Sequence, residues 1–118
     1  MENNFGSYLR QRREALRKKD TGFSVRKVAQ RAGLGPSYLS KIERGEQAPP
    51  SEPRIIALAE VLGEDPDLML ALAGKVSEEL LRTIRKRPRL FAEVIRELRN
   101  MPDHAVLRLV REVRDGKW

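Results

Sequence analysis

Between Val25 and Gly45 two short stretches with apolar residues at helical spacing are joined by Gly33, Leu34 and Gly35, and this junction constrains the fold more than any other part of the chain. Val28, Ala29 and Ala32 form the inner face of the first stretch, and Gly33 supplies the reversal. The second stretch opens with Pro36, whose fixed φ suits a first-turn position, and Gly45 closes it. Its Tyr38, Leu39 and Ile42 occupy about 100° of the helical circumference. Two apolar faces thus meet across a tight turn, and a third face is left bare. That face, about 140° wide, carries Pro36, Ser37, Ser40, Lys41 and Arg44, small or basic residues that let a charged partner approach closely.

A short helix with such an exposed face, reached from a preceding helix through a glycine turn, reads as the recognition helix of a helix-turn-helix. The charge distribution points the same way. Residues 1–44 hold 11 Lys and Arg against 4 Asp and Glu, a net of +7, whereas residues 45–118 hold 13 of each. The excess therefore lies beside the bare helix face. A solvated surface without a partner accounts for many basic chains, but polyanion binding needs clustered cations, and here they are clustered.

Several function classes are disfavoured by composition. There is no cysteine and one histidine, His104, so disulfides, thiolate sites and a zinc or iron centre are not expected. Glu78 and Glu79 resemble a carboxylate pair, but they fall in the first turn of a helix, where acids are electrostatically favoured. Gly33-Leu34-Gly35 follows no strand and lacks the third glycine of a dinucleotide loop. With no convergent acid, base or nucleophile, an enzyme is not expected, and no metal or cofactor is implied. No apolar run approaches the ~20 residues that span a membrane, and MENNFGSYLR lacks the features of a secretory signal. A soluble cytoplasmic protein is the expectation.

The rest of the chain predicts helices throughout and no strand. The first helix runs from Asn4 to about Lys18 with Phe5, Leu9 and Leu16 inward and Tyr8 at the edge, and Lys19 to Gly22 form a loop. Ser24 caps the second helix, 25–32. Ser51 caps a fourth, ending at Leu62 before Gly63, and Asp65-Pro66 opens a fifth through Ala73 before Gly74. Residues 1–75 are therefore expected to form a five-helix domain. From 76 to 118 the texture changes to amphipathic segments at about 78–86, 89–99 and 103–114, punctuated by Pro88 and Pro102. The fold class is all-α: five helices followed by a C-terminal segment of about three. Forty residues cannot bury their own apolar faces, which must pack on the first domain, on a second copy or on a partner protein.

Binding roles follow from residue type. Arg26 and Lys27 stand in the first turn of the second helix, where the dipole prefers acids, and a capping-box acid is missing at Lys27. A phosphate at this helix end reverses the penalty, because dipole and cations then favour the same anion. Candidate phosphate contacts are Arg26, Lys27, Tyr38 and Arg44, with Arg17, Lys18 and Lys19 from the basic loop. Candidate base contacts are Ser37 and Ser40 through their hydroxyls, Lys41 toward guanine O6 and N7, and Pro36 as an apolar contact.

With these residues in view, the first 75 positions resemble the Xre/Cro-like helix-turn-helix family of bacterial and phage repressors. The resemblance rests on SVRKVAQRAGLGPSYLSKIERGEQAPPSEPRIIALAEVLGEDPDLML and on the spacing of Ala29, Gly33, Leu39, Ile42, Glu43 and Gly45. It implies a five-helix domain, usually dimeric on a two-fold symmetric operator. It also implies a structural ion pair between the first helix and the recognition helix, here Arg13 and Glu43. Three departures stand out: Val25 replaces a common glutamine, Gly35 replaces the usual Ser or Thr cap, and the loop RKKDTGF is longer and more basic than the common form. Double-stranded DNA is the expected partner, bound by a homodimer acting as a repressor. Leu90, Phe91, Val94, Ile95, Leu98, Val106, Leu109 and Val110 are the candidate dimer interface. The alternative is an antitoxin-like or adaptor protein whose C-terminal helices hold another protein while the first domain autoregulates through DNA.

Overall fold

The computed structural model describes residues 4–116, which form eight α-helices and no strand. The helices are α1 Asn4–Arg17, α2 Val25–Ala32, α3 Pro36–Glu43, α4 Glu52–Leu62, α5 Pro66–Leu72, α6 Glu78–Lys86, α7 Pro88–Leu98 and α8 Asp103–Asp115, with a 3-10 turn at Thr21–Phe23. They form two compact units, one ending at Ser77 and the other beginning at Glu78.

In the first unit α1 to α5 enclose one core. Phe5 and Leu9 enter from α1, Val28 and Ala29 from α2, Leu39 and Ile42 from α3, Ile55, Leu58 and Ala59 from α4, and Met69 from α5, all fully buried. Leu16, placed inward by its spacing, is only partly buried, as is Ile56, and Leu68 is exposed. Helix α1 lies against α3 so closely that a Cβ on Gly6 would collide with the Ile42 carbonyl oxygen and stand 3.1 Å from that of Glu43. Gly6 therefore brings the two backbones together, a use of glycine that differs from supplying a turn.

Local side-chain chemistry starts several of the elements. Asp20 accepts a hydrogen bond from the Gly22 N–H at 2.8 Å and shapes the 3-10 turn inside the expected loop. Ser24 Oγ accepts from the Lys27 N–H at 3.2 Å and caps α2. Asp65 does the same for α5 through the Asp67 N–H at 2.9 Å. Ser51 does not cap α4 with its side chain as expected, although its backbone has the N-cap conformation. The reason lies in the next two donors. Pro53 removes one N–H, and the Arg54 N–H bonds to the Ser51 carbonyl at 3.1 Å, so none is left facing the hydroxyl.

In the second unit α6, α7 and α8 bury no residue completely. Leu90, Phe91, Val94, Ile95, Leu109 and Val110 are exposed, while Leu98 and Val106 are half-buried.

Candidate nucleic-acid interface

The turn between α2 and α3 is built by Gly33, whose φ of 75° lies in the left-handed region. The Leu34 N–H reaches back to the Ala29 carbonyl at 2.8 Å, which ties off the end of α2 and turns Leu34 into the core. Arg54 on α4 donates to the Gly33 carbonyl oxygen, so the turn is held from a third helix. Helix α3 starts at Pro36 with Gly35 before it, and no side chain caps it.

Beneath α3 the structure brings Arg13 and Glu43 together. Nε of Arg13 donates to Oε2 of Glu43 at 2.6 Å and the second guanidinium nitrogen to Oε1 at 2.8 Å, while a third N–H reaches the Phe23 carbonyl at 3.2 Å. Each side chain of the pair is 4% exposed. This two-pronged geometry locks the roll of α3 against α1 and sets which residues face outward. Tyr8 donates to Glu64 at 2.5 Å, and Arg12 lies 3.7 Å from the same carboxylate, which adds a tie between α1 and the end of α4.

The outward residues of α3 are then Pro36, Ser37 and Lys41, all exposed, with Ser40 half-buried beside them. Arg26 and Lys27 are exposed at the start of α2, whose first turn contains no acid. Arg26 and Pro36 share the lining of a cleft of about 300 Å³ with Gln30 and Leu34, so a candidate phosphate contact and a candidate base contact meet on one surface. Arg17, Lys18 and Lys19 are exposed where α1 ends. Tyr38 is half-buried and packs its ring on the core.

Two candidates are engaged within the protein. Arg44 donates to Ser40 Oγ and to Glu46 Oε2, the latter at 2.5 Å. The Glu46 hydrogen bond raises the Arg44 pKa, and the same bond holds the Glu46 carboxyl below the usual carboxylate range. Ser40 and Arg44 also line a cleft of about 190 Å³ with Arg10, Arg13, Val25 and Glu43. Arg10 in turn is bonded to Glu14 at 2.8 Å. Arg44 and Arg10 are thus each paired with a neighbouring acid.

Sequence reasoning missed Gly6, Arg54 and Glu46. Nothing in the helical pattern marks Gly6 or Arg54, because both act on a helix distant in sequence. Glu46 lies two residues beyond Arg44 and could have been read as a local competitor for its charge. Among the described residues no group of three or more His, Cys, Asp or Glu could hold a metal ion. No helix among them is long and apolar enough to cross a membrane.

A family model for a helix-turn-helix domain matches residues 4–72, more than half of the chain. No curated protein and no solved structure matches it.

Proposed function

We propose, from the premise that the chain belongs to the helix-turn-helix domain family, that it is a sequence-specific transcriptional regulator of the Xre/Cro-like kind, acting as a homodimeric repressor on a two-fold symmetric operator. The observation that carries this reading is the surface formed by Pro36, Ser37 and Lys41 on α3 beside Arg26 and Lys27 on α2, with the buried Arg13–Glu43 pair behind it. In this reading α3 enters the major groove and the start of α2 meets the backbone, where N–H groups and two cations favour a phosphate. Ser37, Ser40 and Lys41 read base edges, and Pro36 makes an apolar contact. With no bidentate Gln, Asn or Arg at the front of α3, direct readout is modest. Binding is the whole activity, and the cytoplasm is its expected compartment.

Dimerisation is assigned to the apolar residues of α7 and α8, from Leu90 and Phe91 to Leu109 and Val110. Their exposure supports this, since ~40 residues lack the volume for a core of their own. The same exposure also favours a second reading, an antitoxin-like or adaptor protein that holds another protein there. Selection of bound sequences from a random duplex pool tests the primary reading. A two-fold symmetric consensus is expected; a pool without enrichment would overturn sequence-specific regulation. Sedimentation of the purified chain separates the two readings, with a tight dimer supporting the first and a monomer the second.

A further inference from the structure

The balance of charge over residues 45–118 conceals a division at the boundary between the two units. Residues 45–77 carry 2 Lys and Arg against 6 Asp and Glu, a net of −4, whereas residues 78–118 carry 11 against 7, a net of +4. Nine of those 11 are arginines. The chain therefore runs basic, acidic, basic, and the second basic region has no place in the recognition surface described above.

Its densest part is the junction of α6 and α7, where Arg85, Lys86, Arg87 and Arg89 surround Pro88 and Arg82 stands one turn before Lys86. All five cations are exposed. Arg85 pairs with Glu78 at 3.0 Å. Arg82, Lys86, Arg87 and Arg89 form no ion pair among the described residues, although Glu79 and Glu93 lie at helical spacing from Arg82 and Arg89. Arg85 and Lys86 end α6, where the helix dipole favours cations. Arg87 and Arg89 do not share that explanation. Arg87 is the N-cap residue of α7 without a capping side-chain bond, and Arg89 lies in a first turn that has no acid. Cations thus crowd a helix start that favours an anion, the same inversion found at Arg26 and Lys27.

We propose that the α6–α7 junction, through Arg82, Lys86, Arg87 and Arg89, is a second and sequence-independent contact to nucleic-acid phosphates. The inference rests on the DNA-binding reading of the first unit. Guanidinium groups suit phosphate oxygens in a two-pronged geometry, and arginine dominates here. The same cluster on a second copy is a poor occupant, because Arg82, Lys86, Arg87 and Arg89 would then face like charges. The covalent link to a DNA-binding unit keeps the cluster at high effective concentration near the duplex, so even weak contacts raise affinity.

The test uses the full chain and a random 30-base-pair duplex titrated over a salt series. The chain carrying Arg82→Gln, Lys86→Gln, Arg87→Gln and Arg89→Gln, with helicity checked by circular dichroism, should bind about tenfold or more weakly at low salt. Its logarithmic salt slope should be smaller by about 3 to 4 per bound chain. A companion with Arg82→Lys, Arg87→Lys and Arg89→Lys should keep the slope, since each charge is retained. Loss of binding in that companion would mean the cluster acts through the fold and would overturn the inference. A glutamine chain with unchanged affinity and slope would overturn it too, leaving the DNA-binding reading intact and the cluster to an acidic protein or lipid. A wild-type chain that bound no duplex would instead overturn both.

Discussion

Glu43 lies beneath the exposed face of α3 with both carboxylate oxygens committed to Arg13 and its side chain 4% exposed. Glu43→Ala would leave a guanidinium buried with only the Phe23 carbonyl, and loss of one member of a buried pair costs ~3 to 5 kcal/mol. Thermal melting should fall by more than about 10 °C; unchanged melting with altered base preference would make Glu43 a reader instead. Lys41 has the opposite profile, its side chain exposed and in no ion pair among the described residues. Lys41→Ala should leave melting unchanged and cost ~1 to 3 kcal/mol on the selected sequence only. Equal loss on random DNA would remove its base-reading role.

Glu46 is a third case, since its carboxylate accepts the Arg44 Nε–H at 2.5 Å and competes with any other anion for that charge. The Arg44 hydrogen bond depresses the Glu46 pKa in the folded chain, so the stabilisation is present above the unfolded value and is lost as pH falls through the lower, folded one. The Glu46 carboxyl is therefore ionised and able to pair with Arg44 at neutral pH. Glu46→Gln should weaken the pair there and raise affinity for random duplex by a factor of about 2 to 5, the worth of an exposed ion pair. Weaker binding would show that Glu46 orients Arg44 productively.

At the scale of elements, α3 is positioned by contact of backbones as much as by side chains. Gly6 lets α1 approach the carbonyl oxygens of Ile42 and Glu43 near the end of α3. Gly6→Ala adds a methyl where backbone stands, and overpacking of this kind costs ~1 to 3 kcal/mol. Denaturant unfolding should register that loss, and α3 should shift enough to weaken specific binding more than random binding. A fully stable Gly6→Ala chain would show that α1 can slide without cost. Across the turn, the left-handed Gly33 and the Arg54 bond to its carbonyl hold α3 at a fixed angle to α2, so Arg26 and Pro36 come to share one cleft.

At the scale of the molecule, the first unit contains a core drawn from all five of its helices, whereas the second leaves many of its large apolar side chains exposed. Truncation after Ser77 should keep the first unit folded, make it monomeric and lower operator affinity by ~100-fold or more, because two linked half-sites bind far better than one. Sedimentation and titration of the shortened chain check this. Full dimeric binding by the truncated chain would move the interface to the first unit and leave α7 and α8 to another partner.

Helix periodicity, the proline and glycine punctuation and the location of the first cation excess are local properties, and they were legible in the sequence. They placed eight helices to within a residue or two and exposed the bare face of α3, because apolar spacing and turn chemistry act over a few neighbours. The Arg13–Glu43 pairing was reachable only through resemblance to a family, since 30 residues separate the partners. Tertiary structure alone decided the close approach at Gly6 and the Arg54 brace on the turn. Each depends on which backbone or side-chain atoms meet once the helices pack, and one-dimensional spacing carries no distance between segments. The division of a neutral stretch into a −4 and a +4 region also became meaningful only when the unit boundary after Ser77 was known, because a patch of charge acts through the surface that carries it.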